Sequence, residues 1–200
     1  MTKRKLAILR EATRLFAEKG YDATPVSEIA GAAGVSEGAI FRHFDNKEDL
    51  LFQIFRGIRE NFFNELERKF KFSTNEQGLE MALRLVRLYC HFYETMETEF
   101  DFIHRNNPYR MPHVGDPCRI EMKKIYDKMN ELLRIAIALG TKDCSIREVS
   151  VEDCTMLILG LLTGAVRMRL FEPLHLKDME DHLVDFCKAA LQPSTTVRSE

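Results

Sequence analysis

Apolar residues recur every three or four positions along most of this chain, which is the spacing of one face of an α-helix. In residues 3–19 one such face carries Ile8, Leu9, Ala12, Leu15 and Phe16. The same spacing predicts further helices over residues 47–70, 118–139, 151–170 and 176–191. It also predicts a helix that ends near residue 95 and a short helix over residues 97–105. No segment alternates convincingly between apolar and polar residues, so the sequence predicts an all-α protein.

Two shorter helices are predicted after the first one. Thr24 is the expected N-cap of the first short helix and Pro25 its first residue, where a missing N–H costs no hydrogen bond. Gly34 permits a positive φ and makes the turn. Ser36 is then expected to cap the second short helix, residues 37–44.

Local signals predict several of the remaining boundaries. Gly20 is able to end the first helix in a left-handed conformation. Asp45 or Asn46 is expected to cap the helix over 47–70, and Ser73 with Glu76 has the spacing of a capping box before the next long helix. Residues 106–117 are rich in Asn, Pro and Gly, so they are predicted to form a loop.

Two short helices joined by a tight glycine turn have the geometry of a helix-turn-helix. The side chains expected to point inward are those of Ile29, Ala30, Val35, Ile40 and Phe44. The positions left outward on the second short helix are Glu37, Gly38, Ala39, Arg42 and His43. A helix this slim fits the major groove of B-DNA, where base edges differ in their donors and acceptors. The alternative is a buried three-helix packing unit without DNA contact.

Charge changes this picture only locally. The chain has 200 residues and a formal net charge of −2, which excludes a uniformly basic nucleic-acid coat. The first fourteen residues, however, carry a net charge of +4, because one acidic residue, Glu11, faces five basic ones: Lys3, Arg4, Lys5, Arg10 and Arg14. This cluster is interpreted as a basic arm beside the helix-turn-helix, with a solvated helix start as the alternative.

A set of residues at fixed spacing extends from Leu6 to Leu51. It consists of Leu15-Phe16-Ala17-Glu18-Lys19-Gly20-Tyr21, Ile29-Ala30, Ala33-Gly34-Val35-Ser36, Gly38, Ile40-Phe41, His43-Phe44, Lys47-Glu48 and Leu50-Leu51. With these residues the chain resembles the TetR family of bacterial repressors. The resemblance implies a three-helix DNA-binding domain over residues 1–46 and a larger helical domain over 47–200 that binds ligands and dimerises. It also implies a ligand-released repressor that binds a palindromic operator as a homodimer.

The resemblance further implies which residues contact DNA. Those expected nearest the bases are Ser36, Glu37, Gly38 and Ala39, and Arg42 could reach a base edge or a phosphate. Those expected along the phosphates are Thr24, Ser27, Phe41, His43 and Lys47. The family often has tyrosine at the position of Phe41, which has no hydroxyl to donate, so apolar contact with sugar or a thymine methyl is the expected role.

Residues 156–166 are apolar nearly all round, and Gly160 and Gly164 lie on one face where a second backbone can approach closely. An internal core helix is the simpler interpretation. The family resemblance favours half of a dimer interface, formed by Leu157, Gly160, Leu161, Gly164, Leu183 and Phe186.

The middle helices are rich in aromatic and sulfur-containing side chains. Ordinary core is one interpretation of this composition; the other is a pocket for a small apolar or amphiphilic effector. The residues predicted to line that pocket are Tyr89, Phe92, Tyr93, Met96, Phe100, Met122 and Tyr126.

Other functional classes have little support in the sequence. No histidine pair has a metal-binding spacing and no nucleophile or phosphate-loop motif occurs, so no metal, cofactor or enzymatic activity is expected. Five widely spaced cysteines indicate reduced thiols, with Cys118 or Cys144 as a redox sensor only if exposed and of low pKa. The apolar stretches are too short for a signal sequence or a membrane span, so a cytoplasmic protein is expected. The alternative function is a helical ligand-binding or interaction protein without specific DNA binding.

Overall fold

We describe the chain from a computed structural model that covers residues 2–71, 75–106, 115–168, 171 and 176–193. Its helices are α1 (Lys3–Lys19), α2 (Val26–Ala32), α3 (Glu37–Ile40), α4 (Lys47–Lys69), α5 (Gly78–Thr95), α6 (Glu97–Asn106), α7 (Gly115–Lys142), α8 (Val151–Met168) and α9 (Leu176–Leu191). These residues contain helices, turns and bends but no strand, which confirms the predicted all-α fold.

Helix α3 is shorter than the sequence predicts. It ends at Ile40 instead of continuing to Phe44. The N–H groups of His43 and Phe44 both donate to the carbonyl of Ile40, at 2.8 and 3.0 Å, and so close the chain into a turn. The second helix of the helix-turn-helix therefore has a single α-helical turn.

Helix α7 is longer than the sequence predicts at both ends. It begins at Gly115 instead of Cys118, so the end of the predicted loop is helical. Pro117 is tolerated there because the N–H groups of a first helical turn have no acceptor within the helix. The helix also continues past Leu139 to Lys142.

The chain divides into two compact units, of which the first comprises residues 1–63 and 96–125. In this unit α1 packs against α6, and α2 packs against both α1 and α3. The ring centroids of Phe16 and Phe102 lie 5.8 Å apart, and those of Phe55 and Phe102 lie 6.2 Å apart. Because Phe16, Phe55 and Phe102 come from α1, α4 and α6, this aromatic cluster joins the first helix to two others.

A buried ion pair also links α4 to α7 within the first unit. The Nε of Arg59 donates to Oε2 of Glu121 at 2.5 Å, and Lys124 donates to the other carboxylate oxygen. Burial by itself would raise the pKa of Glu121, but the hydrogen bonds from Lys124 and Arg59 outweigh it and lower that pKa below its ordinary value. The Glu121 carboxylate is therefore charged and paired at neutral pH.

The second compact unit comprises residues 64–95 and 126–200. Here α5 packs against α8 and α9. Arg87 of α5 also binds Glu180 and Asp181 of α9, at 2.9 Å each. This contact fixes the first turns of α9 against α5.

The start of α5 is held by the turn that follows α7. The N–H of Gly78 donates to Oδ2 of Asp143 at 2.8 Å, and the N–H of Leu79 donates to Oγ of Ser145 at 3.1 Å. Gly78 is required here because a Cβ would lie 2.0 Å from the backbone nitrogen of Gly140. Of the predicted capping box, Ser73 lies outside the described residues.

The described residues were also compared with the requirements of a membrane span, a metal site and a reactive thiol. No helix in the described ranges is long and apolar enough to cross a membrane. The described residues bring together no group of three His, Cys, Asp or Glu side chains that could hold a metal ion. All five cysteines are free thiols. Burial raises the pKa of Cys118 to about 12, so it does not meet the predicted conditions for a redox sensor.

Candidate nucleic-acid interface

The turn between α2 and α3 has the backbone geometry of a tight glycine turn. Gly34 adopts φ +65°, as the sequence predicts, and its N–H donates to the carbonyl of Gly31 at 3.2 Å. The N–H of Val35 donates to the carbonyl of Ala30 at 2.9 Å. These hydrogen bonds satisfy the last carbonyls of α2 and fix the direction in which α3 begins.

The predicted role of Thr24 at the start of α2 is wrong. The helix begins at Val26, its N-cap is Pro25, and no side chain bonds to its first N–H groups. Thr24 is completely buried, and its hydroxyl donates to the carbonyl of Gly20 at 2.7 Å. A side chain that is buried and already bonded in this way is not available to a phosphate.

The exposed part of the helix-turn-helix forms what we call the recognition surface. The Oγ of Ser36 accepts a hydrogen bond from the N–H of Ala39 at 3.3 Å, which confirms the predicted cap of α3. The exposed residues that make up this surface are Ser36, Glu37, Gly38, Phe41 and Arg42.

Ala39 does not belong to the recognition surface, contrary to the prediction. It is buried beside Ile40. Ala39 and Ile40 are the two buried residues of α3, whose one turn packs against α2. Its role as a base contact is withdrawn.

The other predicted phosphate contacts, Ser27, His43 and Lys47, differ in how exposed their side chains are. Ser27 is exposed and His43 is partly buried. The ammonium of Lys47 donates to the carbonyl of Tyr21 at 2.6 Å and lies 4.3 Å from the centroid of that ring. Burial lowers the pKa of Lys47. Part of the hydrogen-bonding capacity of Lys47 is therefore used to hold α4 against the end of α1.

The structure divides the predicted basic arm into two parts. Arg10 and Arg14 both bind Glu11, at 3.1 and 3.0 Å, and the hydrogen bond from Arg14 lowers the pKa of Glu11. Lys3 and Arg4 have no carboxylate partner among the described residues. Only the N-terminal end of α1 therefore carries uncompensated positive charge.

A second exposed surface lies on α8 and α9, and we call it the apolar face. Leu157 is 72% exposed and Phe186 is 65% exposed. Gly160 is exposed, and a Cβ built on it or on Gly164 meets no atom within 4 Å. The apolar face therefore has room for another backbone. Met156 and Met168 of α8 are also exposed. Neither was predicted for this face, although both follow its helical spacing.

Two residues of the predicted partner sites are placed differently from the prediction. Leu183, predicted in the dimer interface, is buried within the chain, because α9 turns it inward with Val184 and Cys187. Tyr126, predicted in the effector pocket, is 47% exposed, so it is not part of an enclosed apolar interior.

The other predicted effector residues are divided between the compact units. Tyr89, Phe92 and Tyr93 are buried in the second unit. In the first unit Met96 and Phe100 are buried and Met122 is partly buried. Phe100 and Phe102 lie on the same helix, α6, which is packed against α1.

Comparison with known proteins is consistent with this surface chemistry. A sequence model described as bacterial regulatory proteins, tetR family, matches residues 8–54. The HTH-type transcriptional regulator AcrR of Shigella flexneri is 37% identical over 174 residues, which are 83% of this chain and 78% of that protein. The HTH-type transcriptional repressor KstR2 of Rhodococcus jostii is 29% identical over 150 residues, 74% of this chain and 71% of that protein.

A solved structure has the same fold over nearly the whole chain. AibR, crystallised with isovaleryl coenzyme A and operator DNA, superposes with a TM-score of 0.73 at 23% identity, covering 92% of this chain and 97% of that one. The family model lies on the helix-turn-helix, and the AcrR match spans most of both chains. The chain therefore belongs to the tetR family of bacterial regulatory proteins, and it is a transcriptional regulator.

Proposed function

We propose that this regulator is a ligand-released repressor that binds a palindromic operator as a homodimer. The observation that carries the proposal is the recognition surface, where Glu37 of α3 and Arg42 in the turn after α3 are both exposed. The name of the Rhodococcus jostii relative, a repressor, supports this direction of regulation, and the operator DNA bound to AibR supports operator binding. The cytoplasm, where bacterial DNA is accessible, is the location that this function requires.

The proposed DNA contacts follow from exposure and chemistry. Glu37 and Gly38 face the base edges, and Arg42 reaches either a guanine edge or a phosphate. The residues proposed along the backbone are Ser27, Ser36, Phe41, His43 and Lys47. The thymine methyl and the sugar are the apolar groups within reach of the exposed Phe41 ring.

The proposed dimer forms through the apolar face. Leu157 and Phe186 are large, exposed and apolar, and burying them against a second copy removes that area from water at about 25 cal/mol per Å². Gly160 and Gly164 allow the two copies of α8 to approach closely, and the partly exposed Leu161 adds apolar area between them. A two-fold dimer presents two copies of α3 to the two halves of a palindrome.

The proposed division of labour assigns DNA binding to residues 1–46 and effector binding with dimerisation to residues 47–200. The first compact unit extends beyond residue 46, because Phe55 and Phe102 pack in the cluster with Phe16. This packing supplies a route for regulation. An effector that contacts Met96 or Phe100 shifts α6, and through Phe102 it shifts α1 and the spacing of the two recognition helices.

The proposed effector is an acyl compound with an apolar chain, of the class that accompanies AibR as isovaleryl coenzyme A. An effector can shift the regulator only by its difference in affinity between the DNA-binding and released states. The expected result is that one member of an acyl coenzyme A series raises the melting temperature and also releases operator DNA. If no member of the series does either, the effector proposal is wrong.

A gel-shift assay on the DNA upstream of the chain's own gene tests the repressor proposal. We expect selective binding that falls by about 10²–10⁴-fold in Arg42→Ala, because the homodimer loses one charge-assisted contact in each half-site. Arg56→Ala is the matched control, because Arg56 is exposed but already paired with Glu60 at 3.0 Å. Equal affinity for all DNA, or equal loss in the two variants, would favour a helical ligand-binding protein without an operator.

A further inference from the structure

The lysines and arginines of residues 2–63 fall into two classes, according to whether a carboxylate is paired with them. Arg10, Arg14, Lys19, Arg56 and Arg59 each lie in an ion pair with a glutamate. Lys3, Arg4, Lys5, Arg42 and Lys47 have no carboxylate partner among the described residues. The unpaired cations are therefore the ones at the start of α1 and around α3.

Three of these unpaired cations have another contact in the folded chain or lie on the recognition surface. Lys5 lies over the Phe44 ring, 5.0 Å from its centroid, and Lys47 is bonded to Tyr21. Arg42 belongs to the recognition surface. Lys3 and Arg4 are exposed and belong to neither group, so their charge is not explained by the contacts of the folded chain.

Lys3 and Arg4 line a cleft of about 580 Å³ between the first turn of α1 and the turn that joins α2 to α3. Its other walls include Thr2, Gly34, Val35 and His43, and none of its lining residues carries a carboxylate. The cleft therefore combines two unpaired cations, a hydroxyl and an imidazole next to the backbone that leads into α3.

Resting on the proposed function, we propose that this cleft, which we call the α1 cleft, binds one backbone phosphate of the operator through Lys3 and Arg4. A phosphate supplies the missing negative charge and accepts hydrogen bonds from both side chains. His43, which follows Arg42 of the recognition surface in the chain, lines the same cleft. Contact there fixes the start of α1 on the duplex and so sets the angle at which α3 meets the groove.

The salt dependence of operator binding tests this assignment. Each phosphate neutralised contributes about 0.9 to the slope of log affinity against log salt, so a dimer of Lys3→Ala/Arg4→Ala should lose about 2 from that slope. Affinity near physiological salt should fall at least about tenfold. Arg10→Ala/Arg14→Ala is the matched control on the same helix, because it removes the same charge from side chains that are already paired.

Neutral DNA linkages identify the ligand itself. Replacing single phosphates of the operator by methylphosphonates should reveal one symmetric pair of positions that weakens the wild type about tenfold and Lys3→Ala/Arg4→Ala by less than about twofold. If no such pair exists, or if the two double variants have equal salt slopes, the assignment is wrong. Stabilisation of the wild type by inorganic phosphate, with equal slopes on DNA, would assign the cleft to a free anion instead.

Two further measurements distinguish the loss of a phosphate contact from unfolding of the variant and from failure of the repressor proposal. Lys3 and Arg4 are exposed, so melting by circular dichroism should be unchanged; Lys3→Gln/Arg4→Gln replaces the alanine variant if it is not. Failure of the repressor proposal has its own signature, because the wild type would then select no operator. Selective binding by the wild type with an unchanged slope in the variant overturns the α1 cleft alone.

Discussion

The recognition surface and the apolar face are both exposed, but for different physical reasons. The cations around α3 are stable in water without a partner, since hydration satisfies an exposed charge. The side chains of Leu157 and Phe186 gain nothing from water, so their exposure leaves apolar area to be buried elsewhere. Exposed charge without counter-charge is thus available to a polyanion, whereas exposed apolar area is stabilised when a second protein surface covers it.

A net charge of zero does not tell where positive charge lies on the surface of a segment. Residues 1–50 hold eight basic and eight acidic side chains, yet carboxylates neutralise only the cations in the middle and at the end of α1. Positive charge then remains where α1 begins and where α3 ends. Pairing, rather than composition, decides where DNA would be attracted.

The largest expected effect is a difference in salt dependence between operator binding by the unpaired cations and dimerisation through the apolar face. If the five unpaired cations of each protomer meet phosphates, operator affinity should fall by about 10³–10⁵-fold between about 50 and 200 mM salt. Dimerisation through apolar side chains should change by less than about twofold over that range, because it releases few counterions. Anisotropy of labelled operator and sedimentation equilibrium measure the two constants. Similar salt slopes for both would contradict the distinction.

A smaller effect is expected when charge is placed on the apolar face. Leu157→Glu/Phe186→Glu should yield a monomer, and operator affinity should fall by about 10²–10⁴-fold because the two half-sites are no longer bound by one linked unit. Light scattering and gel shift measure both changes. Ile135→Glu is the control, since Ile135 is an exposed apolar residue on α7 outside the apolar face. A dimer that survives the double substitution would show that another surface pairs the chains.

The next effect concerns base selection by the recognition surface. Glu37 is exposed without an ion-pair partner among the described side chains, and its carboxylate can only accept hydrogen bonds. The major-groove donors are the amino groups of cytosine and adenine, and cytosine is the usual partner of glutamate. We expect Glu37→Gln to move the preference from cytosine toward adenine at one position of each half-site, by about 10–100-fold.

Selection from randomised duplexes measures that change. Glu67→Gln, which makes the same charge change at an exposed site on α4, should select the wild-type sequence. A uniform gain in affinity for all sequences in Glu37→Gln would mean that the carboxylate acts only by repelling phosphate.

The smallest effect is expected from restoring a hydroxyl. Phe41 is 50% exposed, so Phe41→Tyr adds a donor at the surface without disturbing the core. One added hydrogen bond to a phosphate should tighten operator binding by about two- to tenfold. Phe63→Tyr, on α4, serves as the comparison variant in the same titration. Weaker binding by Phe41→Tyr would show that the ring lies against an apolar group of the DNA.

Sequence periodicity was sufficient for features governed by local chemistry. The all-α fold, the positive φ of Gly34 and the cap at Ser36 were all predicted, because each depends on residues within one or two turns. Thr24, Ala39 and Leu183 were misplaced for a shared reason. All three are buried where one helix meets another, as α1 meets α2, α2 meets α3 and α9 meets α5 and α8, and the pattern of one segment does not contain that information.

The sequence by itself determined the helices and the helix-turn-helix, since spacing, caps and glycines act over a few residues. Only the tertiary structure decided which charges are neutralised and which apolar side chains remain exposed. Glu11 and Glu28 pair with cations of α1, while Lys3 and Arg4 are left to line a cleft. The reason is that ion pairing depends on distances of a few ångströms between side chains, which the packing of separate helices sets.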